Sequence, residues 1–147
     1  MTRFKFYKIM LFLLLYSTFV KAETNIPLKE YLEDNNIEEG STQLYLLNRC
    51  SAIYSYASAI LLKTDVKNSK NFIEISNNLL FKSLELMVID EQIKLENAQK
   101  KAENTRKEMF DIYIIDGKIN WEKNKSHFKD SYISDDMSIC SKLIEDR

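Results

Sequence analysis

Apolar side chains recur at intervals of three and four residues along most of the chain, which predicts amphipathic helices. A short helix is predicted within residues 23–36, where Pro27 suits a first helical turn. A second helix is predicted from Ser41 or Thr42 to about Lys63. Its buried face consists of Leu44, Leu47, Ser51, Tyr54, Ser58 and Leu61. The serines and alanines around this face would let a neighbouring backbone approach closely.

A very long helix is predicted from about Asn71 to at least Met109. Its first half is broadly apolar, whereas its second half is mostly charged and keeps only a narrow apolar seam. The seam consists of Leu95, Ala98, Ala102, Thr105, Met109 and Ile112. Its steps alternate between three and four residues, a rhythm that suits pairing with another helix. The helix that pairs with the seam could belong to a partner, either a second copy of the protein or a different envelope protein. Alternatively, it is the last helix of the same chain.

The segment Phe110–Trp121 has two interpretations. It is either a hairpin around Asp116-Gly117 or the end of the long helix with Gly117 as its C-terminal cap. The helix end is favoured because an isolated two-stranded hairpin is only marginally stable. A last helix is predicted from about Ser126 to Glu145.

The chain has only two glycines and one proline. All-β folds use these residues in their many turns, so their scarcity favours helices. The predicted fold class is therefore all-α. Residues 23–147 are predicted to form a single domain, a small bundle of three long helices plus a short N-terminal helix.

Residues 1–22 have the pattern of a secretory signal peptide. A basic start is followed by the apolar run Ile9–Val20, which is too short for a comfortable membrane span. Val20-Lys21-Ala22 predicts cleavage after Ala22 and a periplasmic or secreted protein. If the segment is retained instead, it anchors an envelope protein to the inner membrane. No later apolar run is long enough to cross a bilayer.

Cys50 and Cys140 are the only cysteines, so an oxidising compartment predicts one disulfide between them. It would fasten the last helix to the second and add about 4–5 kcal/mol in the chain-entropy model. A straight helix of about 40 residues would be about 60 Å long, whereas bridged Cα atoms lie within about 7 Å. The long helix must therefore bend or break, or Phe110–Trp121 must return in a more extended form.

The net charge of the chain argues against some kinds of partner. Without Arg3, Lys5, Lys8 and Lys21, 17 of the 21 basic residues remain against 22 acidic ones, a net charge of −5. An acidic average argues against nucleic acid. It also argues against a basic membrane-surface module.

No catalytic, cofactor-binding or metal-binding motif is recognisable. His127 is interpreted as a solvated surface residue, and its pairing with a methionine on haem is disfavoured because helical methionines usually pack in the core. Asp135-Asp136 is interpreted as solvated charge. The many tyrosines leave open a pocket for a small hydrophobic ligand between helices.

The run from Arg49 to Tyr54, with Cys140 in the last helix, resembles small exported helical proteins of unknown function from Gram-negative bacteria. The resemblance implies the compartment and the fold, but no activity. The expected function is that of a non-enzymatic periplasmic helical-bundle protein acting through protein contacts, without a cofactor. The alternatives are a periplasmic carrier or sensor of a small hydrophobic ligand and an inner-membrane-anchored envelope protein.

Overall fold

The computed structural model describes residues 25–145, and every regular element in that range is a helix. The predicted signal peptide lies outside the described residues. The all-α prediction is confirmed. No helix in this range is both long and apolar enough to cross a membrane. The helices are α1 (Leu28–Asp34), α2 (Gly40–Leu61), α3 (Val66–Ile89), α4 (Leu95–Asn124) and α5 (Tyr132–Glu145).

Helix α2 is the centre of the fold, and each of the other four helices packs against it. It is buried at 15 of its 22 residues, far more than one amphipathic face requires. Helices α3 and α5 run antiparallel to α2, and α4 runs parallel to it. Short connections join each helix to the next, so the chain passes up and down around α2.

Serines form much of the interface between α2 and α3. Ser51 Oγ donates to Ser76 O at 2.8 Å, and Ser76 Oγ donates back to Ser51 O at 2.7 Å. Ser58 and Ser69 make the same reciprocal pair, at 2.8 and 2.9 Å. Small side chains let the two backbones come close enough for these bonds, which satisfy the buried hydroxyl groups. The close approach expected from the serine-rich sequence of α2 is confirmed.

The prediction of one continuous long helix from Asn71 was wrong, and the alternative of a break is confirmed. Residues 90–94 separate α3 from α4. Gln92 adopts a left-handed conformation with φ 54°, and Ile93 N donates to Met87 O at 3.2 Å. The reversal allows α4 to return along α2. Within residues 25–145, the bundle therefore has four longer helices and a short one, rather than three and a short one.

The hairpin interpretation of Phe110–Trp121 was also wrong, and so was the role given to Gly117. Helix α4 continues through this segment to Asn124 and ends where Lys125 turns left-handed, with φ 56°. Gly117 is buried inside the helix. A Cβ atom at this position would overlap the Oη atom of Tyr56 in α2. The glycine is required by the close approach of a side chain, not by a cap.

Two helix starts differ from the prediction. Helix α3 begins at Val66, because Asp65 caps it by accepting the backbone N–H of Asn68 at 3.1 Å. Helix α5 begins at Tyr132 rather than near Ser126. The preceding residues form a turn, in which Ser126 Oγ accepts the backbone N–H of Lys129 at 3.0 Å.

Candidate functional site

A buried carboxylate joins four of the five helices that the structure describes. Asp136 in α5 accepts hydrogen bonds from the backbone N–H of Leu28, from Arg49 Nε and from Tyr113 Oη, at 2.8, 2.9 and 2.6 Å. These donors belong to α1, α2 and α4. Asp136 and all three donor residues are fully buried. A buried charge is tolerated only when it is paired and hydrogen-bonded, and this one is both.

Aromatic rings surround the arginine of this cluster. The guanidinium carbon of Arg49 lies 4.8 Å from the ring centre of Tyr113 and 5.6 Å from that of Tyr132. These distances are those of cation–π contacts. Burial tends to lower the pKa of Arg49, but the neighbouring Tyr113, Asp136 and Tyr45 outweigh burial and raise it. The arginine therefore stays charged at any pH at which the fold exists.

The phenols near Arg49 stay protonated at neutral pH. Burial raises the pKa of Tyr45 to about 12, although Arg49 opposes the shift. Burial also raises the pKa of Tyr113 well above its ordinary value, again against Arg49 and with help from Asp136. A protonated phenol can donate a hydrogen bond. Tyr113 Oη donates to Asp136 Oδ2, and Tyr45 Oη donates to the backbone carbonyl of Ile26. The cluster is thus built to hold helices together.

The interpretation of Asp136 as solvated charge was wrong, whereas its neighbour Asp135 is exposed as expected. Arg49 had been noted only as part of the cysteine-containing run, and its pairing with Asp136 was missed. The positions of the two charges relative to the cysteines could have predicted this ion pair. Arg49 precedes Cys50, and Asp136 lies one helical turn before Cys140, so the disulfide brings the two opposite charges together.

The predicted disulfide is confirmed. Cys50 and Cys140 are bonded with their Cα atoms 5.4 Å apart, and both are fully buried. The bond fastens α5 to α2 beside the ion pair. A disulfide without solvent access is suited to a structural role rather than to redox exchange.

The predicted apolar seam is mostly covered within the chain. Ala98 and Ala102 are fully buried against Leu44 of α2 and Leu80 and Met87 of α3. Met109 is buried in the main core, and Thr105 and Ile112 are half-buried. The helices that cover the two alanines are α2 and α3, not the last helix. Only Leu95 is exposed, so it is the seam residue available to another molecule in this fold.

His127 is not a freely solvated residue. Its Nδ1 atom lies 3.0 Å from Tyr56 Oη, and its ring stacks on Trp121 with centroids 4.9 Å apart. Burial raises the pKa of Tyr56 to about 12. At neutral pH the phenol is therefore protonated and can donate to the histidine. This contact joins the end of α2 to the turn between α4 and α5.

A shallow apolar groove of about 290 Å³ lies between α2, α3 and α5. A single hydroxyl, that of Ser134, is the polar group of its lining. Its walls are formed by Ala57, Leu61, Phe72, Phe128, Ser134 and Met137.

Within residues 25–145, no three His, Cys, Asp or Glu side chains are grouped so that they could hold a metal ion. No family model matches the chain, and no curated protein or solved structure matches it significantly. The resemblance to small exported helical proteins therefore stays a prediction, with which the positions of the two cysteines are compatible.

Proposed function

We propose that this protein is a non-enzymatic, exported helical-bundle protein that acts through contact with another protein. The buried Cys50–Cys140 disulfide supports export, because disulfides persist in oxidising compartments such as the periplasm. The polar groups of the Asp136 cluster are used internally, which supports a structural role for them. The recognition surface must then lie on the outside of the bundle.

Exposed apolar residues at the turn from α3 to α4 carry this proposal. Ile89 is 72 % exposed, Leu95 64 % and Phe81 60 %. Phe81 and Ile89 are eight residues apart, so they project from neighbouring sides of α3. Ile89 and Leu95 flank the turn, and Phe81 lies about two helical turns earlier on α3. Large exposed apolar side chains in one region of a soluble fold are typical of a protein interface. Leu95 is also the exposed member of the seam for which a partner was predicted.

Site-specific photo-crosslinking tests this proposal. A crosslinking residue at position 89 of the exported protein should give one defined adduct, whereas the same residue at the exposed position 104 should not. The adduct is identified by mass, and the purified partner is then tested in solution. Binding should be lost in Ile89→Glu with Leu95→Glu and kept in the matched variant Ile115→Glu with Ile119→Glu.

An adduct of twice the protein's mass would identify the partner as a second copy. The absence of a position-specific adduct, together with sedimentation as a monomer, would contradict the proposal. Equal loss of binding in both double variants would contradict the assignment of this surface.

The groove between α2, α3 and α5 favours a second candidate, a carrier or sensor of a small hydrophobic ligand. Its volume is near the lower limit for ligand pockets. Native mass spectrometry of the exported protein should then show a bound ligand. Ala57→Trp should displace that ligand by filling the groove, whereas Ala59→Trp, on the exposed side of α2, should not. Ligand-free protein in its native compartment would exclude the carrier.

The state of the N-terminus separates the soluble form from the anchored form. The intact mass of the exported protein should lack the first 22 residues, because Val20-Lys21-Ala22 predicts cleavage there. A mass that includes them would favour the membrane-anchored alternative.

A further inference from the structure

Positive charge is concentrated at one end of the bundle. We call this the basic end and define it as residues 62–70 and 114–131, which surround the α2–α3 turn and the end of α4. It contains seven lysines and four acidic residues, a net charge of +3. From residue 23 onward, the rest of the chain has ten basic and eighteen acidic residues, a net charge of −8. The acidic average of the chain therefore conceals a strong separation of charge.

The lysines of the basic end are available to a partner. All seven are exposed, and none forms an ion pair with another described residue. Two of the four acidic residues have other roles. Asp65 caps α3, and Asp116 accepts a hydrogen bond from Tyr132 at 2.5 Å. The lysines are Lys63, Lys67, Lys70, Lys118, Lys123, Lys125 and Lys129.

Large apolar side chains are exposed among these lysines. Six such side chains are 41–60 % exposed, and on the last part of α4 they are interspersed with charged residues. Ile115 and Ile119 are four residues apart and therefore adjacent on the helix surface, with Lys118 beside them. The six residues are Leu62, Val66, Ile114, Ile115, Ile119 and Trp121.

Contacts within the fold make these two segments parts of one surface. His127 in the α4–α5 turn contacts Tyr56 near the end of α2. Arg106 in α4 donates to Asn77 in α3 at 3.0 Å, which shows that these two residues lie opposite each other in the antiparallel pair of helices. In that register the start of α3 lies level with the stretch of α4 between residues 114 and 121. The exposed apolar and basic residues of both segments therefore lie at the same end of the bundle.

We propose that the basic end docks on the surface of an anionic lipid bilayer. Interfacial binding combines shallow burial of apolar side chains with attraction of lysines to anionic headgroups, and this end supplies both. Tryptophan is favoured at the boundary between headgroups and acyl chains, and Trp121 is the chain's only one. The acidic remainder of the bundle is repelled by the same surface, which orients the molecule with its α3–α4 turn away from the membrane. This inference does not depend on the protein contact proposed for that turn.

Vesicle binding of the exported protein tests the proposal. The protein should sediment with vesicles that contain phosphatidylglycerol and stay in solution with vesicles of phosphatidylcholine alone. Added salt should weaken the binding, because the attraction is screened. The emission of Trp121 should shift to shorter wavelength on binding, since its exposed ring enters a less polar environment.

Two charge-reversal variants locate the surface. Lys118→Glu with Lys125→Glu should lower binding to the anionic vesicles by more than about tenfold, since each lysine near such a surface strengthens binding by about fivefold. Lys94→Glu with Lys100→Glu changes the net charge equally but alters exposed lysines at the other end of α4, and it should keep most of the binding. All forms share one N-terminus, so it cannot cause a difference between them.

Three results would overturn the inference. Equal loss in both variants would mean that only the total charge matters. Equal binding to phosphatidylcholine would mean that anionic headgroups are not recognised. Absence of vesicle binding, with an acidic protein crosslinked to position 119 instead, would assign the basic end to a protein partner.

Discussion

Arg49 Nε donates to Asp136 Oδ2 at 2.9 Å, and both side chains are fully buried although 87 residues separate them in the chain. Because Leu28 N and Tyr113 Oη donate to the same carboxylate, one side chain connects α5 to α1, α2 and α4. The adjacent disulfide fixes α5 to α2 covalently. These contacts explain how a last helix of only 14 residues is held in place.

Asp136→Asn should lower the free energy of unfolding by about 3–5 kcal/mol, because it leaves the charge of Arg49 buried without its counterion. The matched control is Asp135→Asn, since Asp135 is adjacent in the sequence but exposed. The control should change stability by less than about 0.5 kcal/mol. Urea unfolding followed by circular dichroism measures both. Equal stability of the two variants would show that the ion pair contributes little.

The disulfide should resist reduction in the native protein, because both sulfur atoms are buried. A thiol reductant should leave Cys50–Cys140 intact in buffer and reduce it readily in denaturant, as monitored by thiol alkylation and mass. Replacing both cysteines with alanine should lower the unfolding free energy by up to about 4–5 kcal/mol, since the bond closes a loop spanning 90 residues. Rapid reduction of the folded protein would indicate that α5 opens easily.

Gly117→Ala should destabilise the protein, although alanine is normally the better helix former by about 1 kcal/mol. Its Cβ atom would overlap the phenol of Tyr56, which is fully buried. Gly40→Ala is the matched control, since nothing lies within 4 Å of its Cβ position, and it should be neutral or slightly stabilising. Adding Tyr56→Phe should recover part of the loss at Gly117. A thermal shift of the same sign for both glycine variants would refute this packing argument.

Ser76→Leu should separate α2 from α3 and lower the unfolding free energy by at least about 2 kcal/mol, because a larger side chain cannot fit where two backbones approach closely. Ser76→Ala should cost only about 1 kcal/mol for the lost hydrogen bonds. Asn78→Leu, two residues further along α3 and exposed, should have little effect. If Ser76→Leu is as stable as Asn78→Leu, the helices are not in the close contact that the serine pairs indicate.

The helices and the disulfide were predictable because they depend on local periodicity and on the presence of only two cysteines. The break after Ile89 was not marked, because a left-handed Gln92 forms it without glycine or proline. Gly117 is unusual in a chain with two glycines, but the sequence did not show whether it caps a helix, forms a turn or makes room for a neighbouring side chain. Asp135 and Asp136 have the same side chain, and only their neighbours in space make one exposed and the other buried. The basic end was not predicted, because its two segments are distant in the sequence and the net charge of the whole chain does not show that the fold brings them together.

Stability should fall as the pH rises above about 10, because burial raises the pKa of both Tyr45 and Tyr56 to about 12. In the unfolded chain tyrosine ionises at about pH 10. Between these values the unfolded chain has released phenolic protons that the native protein retains. Each such tyrosine therefore contributes stability that is complete below pH 10 and is lost as the pH rises towards 12, by up to about 1.4 kcal/mol per pH unit.

Urea unfolding at about pH 9 and about pH 11 measures this loss, and phenolate absorbance follows the ionisation directly. The protein in denaturant is the control, and its phenols should all titrate at about pH 10. Tyr56→Phe removes one phenol of raised pKa, so it should make the decline with pH less steep, whatever it does to stability at pH 9. Native phenols that titrate together with those of the denatured chain, without loss of stability, would show that Tyr45 and Tyr56 are accessible to solvent and that their hydrogen bonds to Ile26 and His127 do not hold them in the core.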